Sequence, residues 1–482
     1  MDLYDAPVSA LARRLRLGEL SAVDLLEAHI ARIEAVNPGL NALVCTRYEA
    51  ARSEAQAADI RLRAAGPDQD LPPLLGVPCT MKEFLQTEGM PHTGGILWMK
   101  DNIAPSDATV VARLKAAGAI IMGVTNIPEG GLWMETYNRI YGRTRNPWNP
   151  AKTSGGSSGG EGALVSSGAS PFGIGSDVGG SIRIPAAFCG TVGHKPTGGL
   201  VPNTGHFPAH NSHGVGTYLC TGPLTRTVDD AWLILNILAG PDGLDPHCRE
   251  MQLGDPNEVD MSKVVVFPME TTGRVFVWKG VREQIHAAAA ALEAQGATIR
   301  TPDFPLMKHA MDIWAAMLAD ISDESYCEIL AEEGRINPWW EILKLWTGFG
   351  RYTWAALIIA GVDRFIDLMP SRKKRLVQLG QELQQSLEAT LGETGVLLFP
   401  PYSRPAPGHS RPWLTPFDPQ VTAIFNVMES PVTQVPTGFD PSGLPYGVQV
   451  VGARGMDHLT IRCAREIERA LGGWQRSEPP VG

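Results

Sequence analysis

The sequence predicts an α/β protein, a β-sheet with α-helices packed on it, and three observations carry that expectation. From Leu75 onwards, β-like runs at 76–81 and 119–124 alternate with a helical stretch over 108–117. Further apolar runs at 264–267 and 446–451 read as strands, and the second leads into a helix over about 458–471. No fixed-period repeat is visible, which sets aside stacked-repeat architectures.

Taken in order, Ser21 opens the first clear helix, with Asp24 three residues on as in a capping box. Val23, Leu26, Ile30 and Ile33 mark its buried face, Asn37-Pro38-Gly39 should stop it, and His29 is expected in solvent. An Ala-rich helix over 48–65 should end near Gly66-Pro67, and Asp107 is expected to cap the helix over 108–117. Residues 154–183, SGGSSGGEGALVSSGASPFGIGSDVGGSIR, hold ten Gly and eight Ser but no His or Cys. A flexible linker would lack the apolar Ala163-Leu-Val and Pro171-Phe-Gly-Ile, so this stretch reads as turn, short helix, strand, turn. Residues 306–370 carry five of the twelve Trp (314, 339, 340, 346 and 354), with Phe349, Tyr352 and Met369 nearby. They form either a helical hairpin that buries aromatics in the core or a cap that walls an apolar pocket.

A net charge of −10 with no long basic run argues against nucleic acid as a partner. The seven Cys are scattered and show no C-x-x-C spacing, as expected of free thiols in a reducing compartment. The N-terminal stretch has no apolar core of a signal peptide, and no run of about 18 apolar residues occurs, so a soluble, cytoplasmic protein without a transmembrane segment is expected.

Several motifs fail. There is no P-loop, and Gly173-Ile-Gly175 begins a dinucleotide fingerprint that Val178 breaks. His206, His210 and His213 share a loop with Pro208 and Asn211 and lack a carboxylate, so no metal is expected. Gly155-Gly-Ser157-Ser-Gly159 matches a nucleophile elbow, but loop residues stand where the elbow needs an apolar strand. Ser181 is the better nucleophile. The backbone N–H groups of Val178, Gly179, Gly180 and Ser181, in a turn that two glycines allow, can converge as an oxyanion hole. Its base would be Lys82, at the end of an apolar strand where burial lowers the amine from about 10.4 towards about 7.

The stretches Gly155-Gly-Ser-Ser-Gly-Gly-Glu161, Gly175-Ser-Asp-Val-Gly-Gly-Ser-Ile-Arg183, Pro185-Ala-Ala-Phe-Cys-Gly190 and Gly193-His-Lys-Pro196 resemble the amidase signature hydrolases. Lys82 matches the family lysine and Asn126 a further recurrent position; the resemblance runs on through Thr221–Arg226 and Phe425-Asn426 to Gln449. It is most similar to the fatty acid amide hydrolase branch, notably in Tyr141-Gly-Arg and in residues 200–208, though, unlike its membrane-anchored members, it is expected to have no N-terminal transmembrane segment.

The resemblance implies a central twisted mixed β-sheet covered by helices on both faces, in one amidase domain over 1–482. Its parts would be N-terminal helices (1–70), a signature core (71–245), a Trp-rich helical cap insert (300–395) and a C-terminal return to the sheet (396–482). It implies that Ser181 is the nucleophile, Lys82 the base, and Ser157, after a cis peptide bond, the proton relay. Ser158 either orients Lys82 or serves structure, while Asp177 and Arg183 brace the loop. His194 and His206 are expected to be structural. Gly131, Leu132, Trp133, Trp339, Trp340 and Trp346 are the expected pocket residues.

The implied reaction is cleavage of amides with an apolar acyl or aryl group, with carbamates (urethanes) and esters as further substrates and no cofactor. The enzyme would be a monomer or homodimer. A glutamine-dependent amidotransferase A-type subunit is the main alternative, but Gly216-Thr-Tyr-Leu-Cys-Thr221 lacks the acidic and amide residues such subunits carry there. A binding protein that has lost catalysis is disfavoured by the joint presence of Lys82, Ser157 and Ser181.

Overall fold

Successive side chains of a strand point to opposite faces of a sheet, so a strand apolar at every position must be covered on both sides. The run Gly395–Phe399 does this: Val396 and Leu398 join one apolar cluster, Leu397 and Phe399 another. The first cluster includes Ile285 and Leu292 from helix Lys279–Glu293 and Ile461 and Ile467 from helix Asp457–Leu471. The second draws on helices Ala310–Ile321, Pro370–Leu391 and Gln420–Val427. The predicted α/β class holds.

The computed structural model describes residues 2–65, 69–208, 215–322, 324–367 and 370–478. Its strands are β1 (Leu43–Thr46), β2 (Pro78–Lys82), β3 (Ile120–Thr125), β4 (Tyr137–Asn138), β5 (Gly142–Arg143), β6 (Phe172–Asp177) and β7 (Val192–Lys195). They continue as β8 (Cys220–Thr225), β9 (Val265–Pro268), β10 (Thr298–Ile299), β11 (Gly395–Phe399), β12 (Val432–Phe439) and β13 (Pro445–Gly452). Among the described residues, eleven of them form one mixed sheet in the order β1-β3-β2-β6-β8-β7-β12-β13-β11-β9-β10; β4 and β5 pair separately. β2 lies parallel to both β3 and β6. The C-terminal end of β2 therefore opens beside the end of β6, where the glycine-rich turn begins.

Three local expectations are corrected. The helix from Ala22 runs through Pro38 to Leu40 and ends at Asn41 in the left-handed region (φ 52°). Asn37 supports that last turn, its Oδ1 accepting from the N–H groups of Ala42 (2.8 Å) and Leu43 (2.9 Å). His29 is buried rather than solvated, its ring edge-on to Tyr4, and burial pushes its pKa down to about 3, aided by the charge of Arg226. Asp107 does not cap helix Thr109–Ala116; it pairs instead with Lys115 (2.7 Å) and accepts from the Glu88 N–H. The expected Gly66-Pro67 helix end lies outside the described residues.

The N-terminus of helix Ala22–Leu40 has two acceptors. Ser21 Oγ takes the Asp24 N–H (2.9 Å), and buried Asp59, from helix Tyr48–Ala64, takes the Ala22 N–H (2.7 Å). Ser21→Ala should cost about 1 kcal/mol in urea unfolding. Asp59→Ala should cost more, about 1–3 kcal/mol, because it strands a buried donor. A larger loss at Ser21 would contradict this division.

Candidate active site

Lys82, the last residue of β2, is fully buried between β3 and β6. Its Nζ lies 2.7 Å from Ser157 Oγ, 3.0 Å from Ser176 Oγ and 3.2 Å from the Ser176 carbonyl oxygen. A neutral amine satisfies all three by donating to the carbonyl and one hydroxyl and accepting from the other. Burial lowers the Lys82 pKa to about 7, against the opposing pull of Asp177 and Glu161. Burial also pushes Glu161 up to about 8, although the hydroxyls of Thr80 (2.6 Å) and Thr125 (2.9 Å) bond to its carboxyl. Both groups are driven towards their neutral forms.

The glycines explain how Ser157 reaches Lys82. Helix Gly159–Ser166 lies so close to the sheet that a Cβ on Gly160 would sit 2.8 Å from the Asn126 nitrogen. A Cβ on Gly175 would come 2.7 Å from Ser158 Oγ, and one on Gly173 would collide with the Glu161 carboxyl. Gly155 holds a left-handed turn (φ 86°) against Pro185, and the Gly156–Ser157 peptide bond is cis. Thr136 Oγ1 fastens this turn, donating to the Gly155 carbonyl (2.9 Å) and accepting from the Gly159 N–H (3.0 Å).

The turn 177–181 joins β6 to helix Arg183–Cys189. Burial alone would raise the Asp177 carboxyl, but the Arg183 guanidinium and the Ile182 N–H hold it well below the usual carboxylate range. Arg183 is itself spread over Asp177 (2.9 Å), Asn426 Oδ1 (2.6 Å), Gln449 Oε1 (2.9 Å) and the Thr422 carbonyl (2.8 Å). One expectation fails here. The Gly180 N–H donates to Asp177 Oδ1 (2.7 Å), so it is not available to a ligand. The N–H groups of Val178, Gly179 and Ser181 have no partner among the described residues.

Ser157, Ser176 and Ser181 lie in the wall of one cavity of about 330 Å³. Phe84, Leu132, Phe207, Leu219, Trp314, Tyr326 and Ile359 supply much of the rest. Of the expected pocket residues, Gly131 and Leu132 line it, whereas Trp133 does not. Trp339, Trp340 and Trp346 also stand outside it, 67%, 57% and 78% exposed. Helix Pro338–Trp346 turns Pro338 and Glu341 inwards instead, and the insert packs on the core through Tyr326, Tyr352 and Leu357. Sequence reasoning placed Trp314 in the insert without singling it out from the other four.

Ser158 Oγ bonds to the backbone of Ser176 (3.4 Å) and not to Lys82; Ser176, which the sequence reading missed, holds the amine. Alternation along β6 from the matched Gly175 would have pointed to it. Asn126 is not in the cavity lining; its Nδ2 donates to Thr144 Oγ1 (3.1 Å) and to the Gly142 carbonyl (3.2 Å). His194 is buried between Thr433 Oγ1 (2.9 Å) and Asp457 (3.2 Å), away from the cavity lining, while His206 lines the cavity with its ring against Phe84. His210 and His213 lie outside the described residues. Among the described residues no group of three His, Cys, Asp or Glu side chains is arranged to hold a metal ion.

The Amidase family model matches residues 24–461. The chain is 40% identical to fatty-acid amide hydrolase 2-A of Danio rerio, over 96% of this chain and 88% of that one. It is 32% identical to the A-type subunit of glutamyl-tRNA(Gln) amidotransferase from Synechococcus sp. (strain WH7803), over 95% and 96% respectively. A solved bacterial aryl acylamidase of the amidase signature family superposes with a TM-score of 0.79 at 27% identity, covering 97% of this chain and 96% of that one. No helix among the described residues is long and apolar enough to cross a membrane.

Burying an amine that titrates near 7 in the folded state has a cost in stability. Between about pH 7 and about 10.4 the unfolded chain binds the proton that the folded chain has lost, so this residue makes stability rise with pH. Lys82→Met should therefore melt at a higher temperature than the parent at pH 7, and the gap should shrink towards pH 10. A lower melting temperature at pH 7 would contradict the buried neutral amine.

Proposed function

The chain belongs to the amidase family of hydrolases, and we propose that Ser181, Ser157 and Lys82 together cleave the C–N bond of amides with an apolar acyl or aryl group. The observation that carries this reading is the 2.7 Å contact between a fully buried Lys82 Nζ and Ser157 Oγ, with Ser157 and Ser181 in one cavity wall. Ser181 Oγ attacks the carbonyl carbon. Its proton moves to Ser157 Oγ as Ser157 gives its own to Lys82 Nζ. The substrate oxygen becomes an anion facing the N–H groups of Val178, Gly179 and Ser181. Lys82 then returns the proton through Ser157 to the leaving nitrogen, and water activated by the same route releases the acyl group from Ser181.

The lining disfavours an anionic substrate, since its charged side chains are the acids Glu324 and Asp363. No described residue of the cavity wall is Lys or Arg, so nothing there pairs with the carboxylate of a glutamine substrate. The aromatic and aliphatic wall suits a fatty acyl or aryl group, and both the Danio rerio relative and the aryl acylamidase structure are named for such substrates. Carbamates and esters present a carbonyl to the same nucleophile, and a carbamic acid freed from a carbamate would lose carbon dioxide afterwards.

Ser181→Ala should abolish hydrolysis of p-nitroanilides, and Lys82→Ala and Ser157→Ala should each lower kcat/KM by about 10²–10⁴. Because only the neutral amine accepts a proton, kcat/KM should rise with pH through about 7. Activity should increase with acyl length from acetyl to long-chain anilides. Near-normal turnover by Ser181→Ala, or an optimum near pH 5, would overturn the assignment.

A further inference from the structure

We infer that Trp314, on helix Ala310–Ile321 of the insert, is a positioning residue that aims the Gly179 N–H at the substrate oxygen. The inference rests on the amide-hydrolysis reading above. In a trans peptide the N–H points opposite to the carbonyl oxygen, so whatever holds the carbonyl also orients the N–H. Each carbonyl from Asp177 to Gly180 is held by a different donor. Asn426 Nδ2 takes that of Asp177 (2.8 Å), and the Ile184 N–H takes that of Gly180 (2.7 Å). Thr422 Oγ1 lies within hydrogen-bond distance of that of Gly179 (3.0 Å) and shares its one hydrogen with the Pro419 carbonyl (2.9 Å); the N–H of the same Gly179–Gly180 peptide is already spent on Asp177. The remaining carbonyl, Val178, accepts the indole N–H of Trp314 (2.8 Å).

That fourth contact matters most for mobility. On its C-terminal side the peptide it fixes meets Gly179, which has no Cβ to restrict the backbone there. The indole ring also packs against the turn, since a Cβ on Gly179 would meet Trp314 Cζ2 at 3.2 Å. The helix that carries Trp314 supplies Met311, Ala315 and Leu318 to the cavity wall. One helix therefore faces the acyl chain and holds the peptide that meets its carbonyl. The insert contributes to turnover as well as to the choice of substrate.

The test uses the full chain with Trp314→Phe, which keeps a ring and removes the N–H. It compares p-nitroacetanilide with a long-chain p-nitroanilide and counts active sites with a serine-directed phosphonate. A positioning role predicts kcat per active site about tenfold lower on both substrates, with KM and melting temperature little changed. A loss confined to KM of the long-chain substrate would overturn it, since a wall residue alone behaves that way. A lower melting temperature with kcat per site unchanged would overturn it too. Ser181→Ala is assayed alongside. If it still turns over, the reading of the reaction has failed; if it is inactive while Trp314→Phe is normal, only this inference has failed.

Discussion

Lys82 brings an amine into the interior beside two carboxyl groups, and neither becomes its counter-ion. Asp177 is ionised, but its charge is matched by Arg183, which is equally buried and lies 2.9 Å away. Glu161 is pushed by burial towards its protonated form, with hydroxyls rather than a cation around it. The amine is left with two hydroxyls and a carbonyl, and burial lowers its pKa to about 7. A lysine beside an unmatched carboxylate would stay protonated and could take no proton from a serine.

The close packing of the glycine-rich segment follows from the same requirement. Keeping water from the amine needs helix Gly159–Ser166 pressed onto β3 and β6, and side chains at Gly160, Gly173 or Gly175 would hold it off. That contact brings Ser157 to Lys82 and Ser158 to the backbone of Ser176. On the far side, the turn 177–181 is fastened by groups from helix Gln420–Val427 and from the insert, both distant in sequence. The site is thus a small set of polar atoms held by packing that extends from residue 42 to residue 449.

Much of this was legible in the sequence where chemistry and spacing are local. The short apolar segments identify the α/β class, and the Ser/Gly run with the lysine closing an apolar strand points to Ser181 and Lys82, whereas the relay role of Ser157 comes only from the family resemblance. Other features depend on partners the chain supplies elsewhere. Asp177 spends the Gly180 N–H, and Ser176 rather than Ser158 meets the amine; both outcomes depend on how a turn closes in space. The expectation of a solvated His29 rests on its residue type, although its spacing from Leu25, Leu26, Ile33 and Val36 puts it on the buried face of its helix. Five Trp in the insert gave no sign of which one faces inwards. Trp314 is selected by its contact with Val178, whereas Trp339, Trp340 and Trp346 ride on the outer side of a helix that buries Glu341.

The central claim is that burial lowers the Lys82 amine far enough for its neutral form to be abundant near physiological pH. It is tested most directly by following its ionisation in the folded Ser181→Ala protein, with lysine labelled by ¹³C at Cε and ¹⁵N at Nζ. The Lys82 resonance is identified by its absence from the spectrum of Lys82→Met. The account predicts a titration midpoint near 7, set apart from the other lysines. A midpoint at about 10, with the bulk of the lysines, would contradict it.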